Sequence, residues 1–134
     1  SYLREILSKG LVNYVAMDIK NSPDKYEMTA GFTDILPGQR LNMDRIRESI
    51  GLLMESSVEY EFRTTVVREF HEIDDFKGIG ELIKGADKYY LQPFTDRDTV
   101  PFEGFHSPSK EELKTCLNVV SGYVKRAEIR GIET

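Results

Sequence analysis

A chain of 134 residues with 31% charged side chains, two histidines and one cysteine fits a single domain able to bury about two-thirds of its unfolded surface. The net charge of -5 argues against a nucleic-acid-binding surface and against docking on anionic lipid, and the basic pairs Arg4/Lys9 and Lys125/Arg126 are too sparse to reverse that. No apolar run approaches the roughly 20 residues that span a bilayer and no charged-then-apolar leader is present, so a cytoplasmic protein is expected.

The chain opens at Ser1, without an initiator methionine, directly into Tyr2-Leu3-Arg4-Glu5-Ile6-Leu7. That stretch reads as the tail of an amphipathic helix with no start signal, so the sequence is expected to begin inside a larger fold. Gly10 supplies a C-cap, and a strand follows from about Val12 to Lys20. Within Tyr14 to Lys20 the side chains alternate: Val15, Met17 and Ile19 share one face, and Ala16, Asp18 and Lys20 share the other. A parallel strand covered by helices on both sides reads as a continuous apolar run, so an acid and a base at the strand end point to helices on one side only, with a polar cavity on the other.

Asn21 to Asp24 is a turn, with Pro23 opening a short helix through Met28 that Gly31 ends, and Pro37-Gly38 marks a loop. From an N-cap at Asn42, the recurrence of Met43, Ile46, Ile50, Leu53 and Met54 predicts a helix to about Ser57. Residues 58–67 alternate as a strand, with Tyr60, Phe62, Thr64 and Val66 on one face and Glu59, Glu61, Arg63 and Thr65 on the other. A turn at Glu69 to Glu72 leads to a helix striped by Phe76, Ile79, Gly80 and Ile83 and closed by Gly85. Lys88 to Phe94 reads as a third strand stopped by Pro93. Thr95 to Pro108 lacks a period and reads as a loop. Ser109-Lys110-Glu111-Glu112 is a capping box ahead of Leu113, Cys116, Leu117, Val120 and Tyr123, and a last strand covers about Val124 to Arg130. Alternating helices and strands give a parallel sheet with right-handed crossovers, and polar inner faces favour a curved, barrel-like sheet whose function sits at the C-terminal strand ends. Asp18, Lys20, Arg63, Thr65 and Gln92 lie toward that edge.

Asp18 and Lys20 are separated by roughly 6.6 Å of strand rise, and Arg63 points into the same cavity from another strand. Two cations beside one carboxylate suit an anionic ligand group, with arginine offering a bidentate fork and lysine a point charge. The same spacing also accommodates a buried ion-pair network in which Glu59 or Glu61 neutralises Arg63. Gly78-Ile79-Gly80-Glu81 lacks phosphate-loop spacing and lies in a helical stripe. Tyr89 or Tyr90 could stack a base, although one of them belongs in the core. The single cysteine excludes an intrachain disulfide or a thiolate metal site built from this chain alone, and its helical neighbours make it a buried structural thiol. His71 and His106, 35 residues apart, read as loop or cap residues rather than metal ligands.

Tyr-Val-Ala-Met-Asp-Ile-Lys (14–20), Tyr-Glu-Phe-Arg-Thr-Thr-Val-Val (60–67) and Tyr-Tyr-Leu-Gln-Pro-Phe (89–94), in this order and spacing, resemble successive strands of the radical S-adenosylmethionine (SAM) enzymes that activate glycyl radical enzymes. The resemblance is nearest to the anaerobic ribonucleoside-triphosphate reductase activating proteins and more distant to the pyruvate formate-lyase activators. It implies an α/β fold, the C-terminal half of a partial (β/α) barrel with helices on the outer face. It also implies SAM as cofactor, a 4Fe-4S cluster in the intact parent, a glycyl radical enzyme as protein substrate, and flavodoxin or ferredoxin as electron donor. Asp18 and Lys20 fall on the family's Asp-x-Lys strand end near the ribose and methionine of SAM, Arg63 on the basic residue of the next strand, and Gln92 on the following strand as a further cofactor contact. The cluster motif CxxxCxxC and the glycine-rich segment that contacts the SAM amino group are absent from these 134 residues, and Thr95 stands where pyruvate formate-lyase activators carry a histidine. The chain is therefore expected to be the half that lacks the cluster, inactive alone, with an exposed sheet edge through which it self-associates. The alternative is a non-catalytic half-barrel that binds an anionic nucleotide or a protein partner.

Overall fold

The computed structural model describes residues 2–31, 42–94 and 106–131. Helix α1 (Tyr2–Ser8) precedes β1 (Tyr14–Asp18), with Gly10 at positive φ between them. A 3-10 turn at Pro23–Lys25 runs into α2 (Tyr26–Gly31). Then come α3 (Met43–Glu55), β2 (Glu59–Val66), α4 (Asp75–Leu82), β3 (Tyr89–Pro93), α5 (Lys110–Ser121) and β4 (Ala127–Ile129). The strands form one parallel sheet in the order β1-β2-β3-β4. The expected alternation and parallel sheet are therefore present, and the sheet is open at both edges among the described residues, the arrangement of a half barrel. The loop at Pro37-Gly38, Thr95 and most of the loop leading to Pro108 lie outside the described residues.

Local signals set the helix ends. The Asn42 side chain accepts the Asp44 amide at 2.9 Å, and the Ser109/Glu112 capping box is complete in both directions. Strands are shorter than their apolar alternation, because ladder bonding lasts only as long as the neighbour: β4 pairs only Ala127 to Ile129, against Tyr89 to Leu91.

The core lies between one sheet face and one helical layer. Tyr60, Phe62, Val66, Tyr89 and Leu91 from the sheet pack with Ile50 and Leu53 of α3, Phe76 and Ile79 of α4, and Leu113, Cys116 and Val120 of α5. Thr64 is polar within this face, yet it is satisfied: its hydroxyl donates to the Ile19 carbonyl at 2.7 Å and accepts from the Tyr89 hydroxyl at 2.5 Å. The glycines bracketing Ile79 serve close packing. A Cβ at Gly80 would lie 2.4 Å from the Tyr123 ring, and one at Gly78 would lie 2.7 Å from the Ser22 Cβ. The core residues of α3, α4 and α5 pack with one face of the sheet, and the opposite face of β2 carries Glu59, Glu61, Arg63 and Thr65.

Candidate functional site at the polar sheet face

Strand register, not chain proximity, assembles this face. Asp18 stands directly opposite Arg63, Ala16 opposite Glu61, Arg63 opposite Tyr90, Thr65 opposite Gln92, and Tyr90 opposite Glu128. The Arg63 Nε donates to Asp18 Oδ1 at 2.6 Å, and the Lys20 ammonium lies 3.5 Å from Asp18 Oδ2. Asp18 is thus held between two cations, and the long lysine side chain closes the distance that the strand rise leaves open. Gln92 is on the same face one strand beyond Arg63. No hydrogen bond or ion pair joins it to the other three among the described residues.

The ion-pair alternative weighed from spacing needs correction. Neither Glu59 nor Glu61 pairs with Arg63: along the strand Glu61 is roughly 6.6 Å away and Glu59 roughly 13 Å, whereas a cross-strand opposite is nearer. Glu61 instead takes both guanidinium nitrogens of Arg130, at 2.8 and 3.3 Å, and a hydrogen bond from the Tyr14 hydroxyl. Arg130 in turn stacks 3.7 Å above the Tyr90 ring. Of the two adjacent tyrosines, Tyr89 is core and Tyr90 is the platform under this guanidinium.

Glu61 is 4% exposed, and burial alone would raise its carboxyl. The hydrogen bonds from Tyr14 and Arg130, with the Arg130 and Arg63 charges, outweigh that and hold it below the usual carboxylate range. Burial and the same hydrogen bond push the Tyr14 phenol up to about 12. Arg130 and Tyr14 were not singled out in the sequence as site residues, and Tyr90, read there as a platform for a base, carries the Arg130 guanidinium. The one available signal was the alternation Arg126, Glu128, Arg130, which puts a second set of charges on one face of the last strand.

A second polar group gathers where β1 leaves the sheet. The Ile19 amide donates the last ladder bond to the Arg63 carbonyl at 2.7 Å. Beyond it, the buried Asn21 carboxamide donates to Phe70 O at 2.9 Å and Thr29 Oγ1 at 3.0 Å and accepts the Ser22 amide at 2.7 Å. Asp75 accepts from Lys25 at 2.9 Å, from Ser22 Oγ at 3.4 Å and from the Glu72 amide at 2.8 Å. The first of these bonds raises the Lys25 ammonium above its usual range.

Both histidines occupy loops. His106 caps Glu69, donating its main-chain N–H at 2.7 Å with its ring Nδ1 at 2.9 Å. His71 is buried beside Lys20. Among the described residues no group of three or more His, Cys, Asp or Glu side chains could hold a metal ion. Cys116 is buried on the helical side of the sheet, where desolvation first and then the Glu112 charge push its thiol up to about 11. One protonated, enclosed thiol does not fit an iron-sulfur cluster, which takes several thiolates. The polar face, with a carboxylate and two cations at a strand end, does fit a ligand carrying hydroxyls and a carboxylate.

Among known proteins, the chain is similar to a curated protein of Methanocaldococcus jannaschii named "Putative glycyl-radical enzyme activating enzyme", 27% identical over 132 residues. The alignment takes in 97% of this chain and 54% of that protein, so the chain spans about half of its length. No protein-family model matches the chain. No solved structure matches it. Among the described residues no helix is long and apolar enough to cross a membrane.

Proposed function

We propose that this chain is the SAM-binding, C-terminal half of a partial barrel in a cytoplasmic radical enzyme that activates a glycyl radical enzyme of the anaerobic ribonucleotide reductase or pyruvate formate-lyase type. The observation that carries this reading is Asp18 held between Arg63 and Lys20 at the end of β1, on an open polar face. The similarity to the Methanocaldococcus protein supports it. The radical chemistry belongs to the bound cofactor. The residues of this chain would bind and orient it: Lys20 and Arg63 meet the methionine carboxylate, Asp18 accepts from the ribose hydroxyls, and Gln92 offers an amide one strand away. In this reading the thiolates of the 4Fe-4S cluster come from outside these 134 residues, a flavodoxin or ferredoxin supplies electrons to the intact protein, and the chain alone does not turn over.

A second reading, a binding module for an anionic nucleotide or a protein partner, draws on the lack of a thiolate set beside the same cations. Calorimetric titration separates the two. SAM should bind the chain, and Lys20→Ala should weaken it about tenfold, the size of one charge-assisted hydrogen bond, with the circular dichroism unchanged. Equal binding of ATP and SAM would move the function to the module.

A further inference from the structure

Six of the seven buried polar or charged side chains among the described residues are Asn21, Ser22, Thr29, Thr64, His71 and Asp75, and Glu61 is the seventh. Burying a polar group is costly unless it is bonded. Here the bonds converge on the four residues, Ile19 to Ser22, that carry the chain out of β1. The ladder ends with the Ile19 amide, so beyond that point no strand partner fixes the direction of the main chain. Side chains do so instead. The Thr64 hydroxyl holds the Ile19 carbonyl at 2.7 Å, the His71 Nε2 lies 2.8 Å from the Lys20 carbonyl, and Asn21 is tied to the Phe70 carbonyl.

Of these, His71 acts on Lys20 itself. A carbonyl oxygen only accepts, so the shortest contact puts the proton on Nε2; Nδ1 lies 3.0 Å from the Val67 amide and 3.2 Å from the Val67 carbonyl, and in the neutral ring its lone pair accepts the amide. One tautomer satisfies both bonds. Burial lowers the imidazole below its usual range, against the pull of the Lys20 and Val67 carbonyls and of Asp75, and favours a neutral ring. The ring therefore bridges the end of β1 and the loop that follows β2, 51 residues apart.

We propose that His71 is a positioning residue that fixes the main chain at Lys20 so that its ammonium stays on Asp18, in register for the anionic part of the ligand. This deepens the proposed function and rests on it for the ligand, but not for the positioning. Two near-isosteric variants split the two bonds. The amide of His71→Gln reproduces Nε2 and keeps the donor to Lys20, whereas His71→Asn reproduces Nδ1 and keeps the acceptor for Val67.

The test is carried out on the whole 134-residue chain, first by amide hydrogen exchange and then by SAM titration. His71→Asn should lose protection at residues 19–22 while the amides of β2 and β3 keep theirs, and His71→Gln should restore it. SAM affinity should fall about tenfold in His71→Asn and less than threefold in His71→Gln, the difference of one buried hydrogen bond. Adding His71→Asn to Lys20→Ala should cost nothing more. Uniform loss of protection, loss in Gln rather than Asn, or additivity with Lys20→Ala would reduce His71 to a loop cap and overturn the proposal. If the native chain binds no SAM, the proposed function fails, and the exchange pattern alone decides the positioning.

Discussion

Glu61→Gln is the perturbation that tests the polar face most directly. It keeps the shape of a 4% exposed side chain and removes its charge. Two partners lose a charged acceptor: the Tyr14 hydroxyl and the bidentate Arg130 guanidinium. Breaking a fully buried pair costs about 3–5 kcal/mol, but the Arg130 side chain is 41% exposed and can turn to water. The discounted loss is about 1–3 kcal/mol, the range for charge-assisted bonds with one buried end.

The sign of the pH dependence follows from the direction of the shift. The folded Glu61 pKa is below its unfolded value, so its contribution is fully present above the unfolded pKa, near 4.5. It is lost as pH falls through the folded pKa. Urea unfolding of wild type and Glu61→Gln should therefore differ by the full amount at pH 7 and converge in acid, where Glu61 itself is protonated. A difference that is independent of pH, or below about 0.5 kcal/mol at neutrality, would refute the view that a charged Glu61 organises this face.

Gly80→Ala drives a methyl into the Tyr123 ring and should lower stability by about 1–3 kcal/mol in thermal melts. Gly51→Ala in α3, where a Cβ meets nothing within 4 Å, should raise it by about 0.5–1 kcal/mol. The raised, enclosed Cys116 thiol should resist a disulfide reagent at pH 8 until denaturant is added, and rapid labelling of native protein would contradict its placement. The outer edge of β1, unpaired among the described residues and flanked by the exposed Leu11 and Tyr14, should drive concentration-dependent self-association in light scattering. A clean monomer at high concentration would count against it.

Much of the architecture was legible in the chain because local rules dictate it. Asn42 and the Ser109 box fix helix starts through bonds within three residues, and the period-2 alternation of residues 14–20 and 59–66 assigns faces before any neighbour is known. The same alternation placed Asp18 and Lys20 on one face of the first strand and Arg63 on the polar face of the second, and the register sets Asp18 opposite Arg63. What alternation could not supply was partners. It left Arg63 between Asp18 and the same-strand Glu59 or Glu61, and the pairing went to Asp18 because the parallel register sets those two residues opposite each other.

The sequence by itself thus determined the order of elements, the apolar and polar faces, and the residues available to the candidate site. Only the tertiary structure decided that Glu61 closes on Arg130, 69 residues away, and that His71 holds the carbonyl of Lys20, 51 residues away. A face is a property of one strand's backbone geometry. A contact across the sheet depends on how far each crossover shifts the next strand, and that shift is set by helix packing over the whole core.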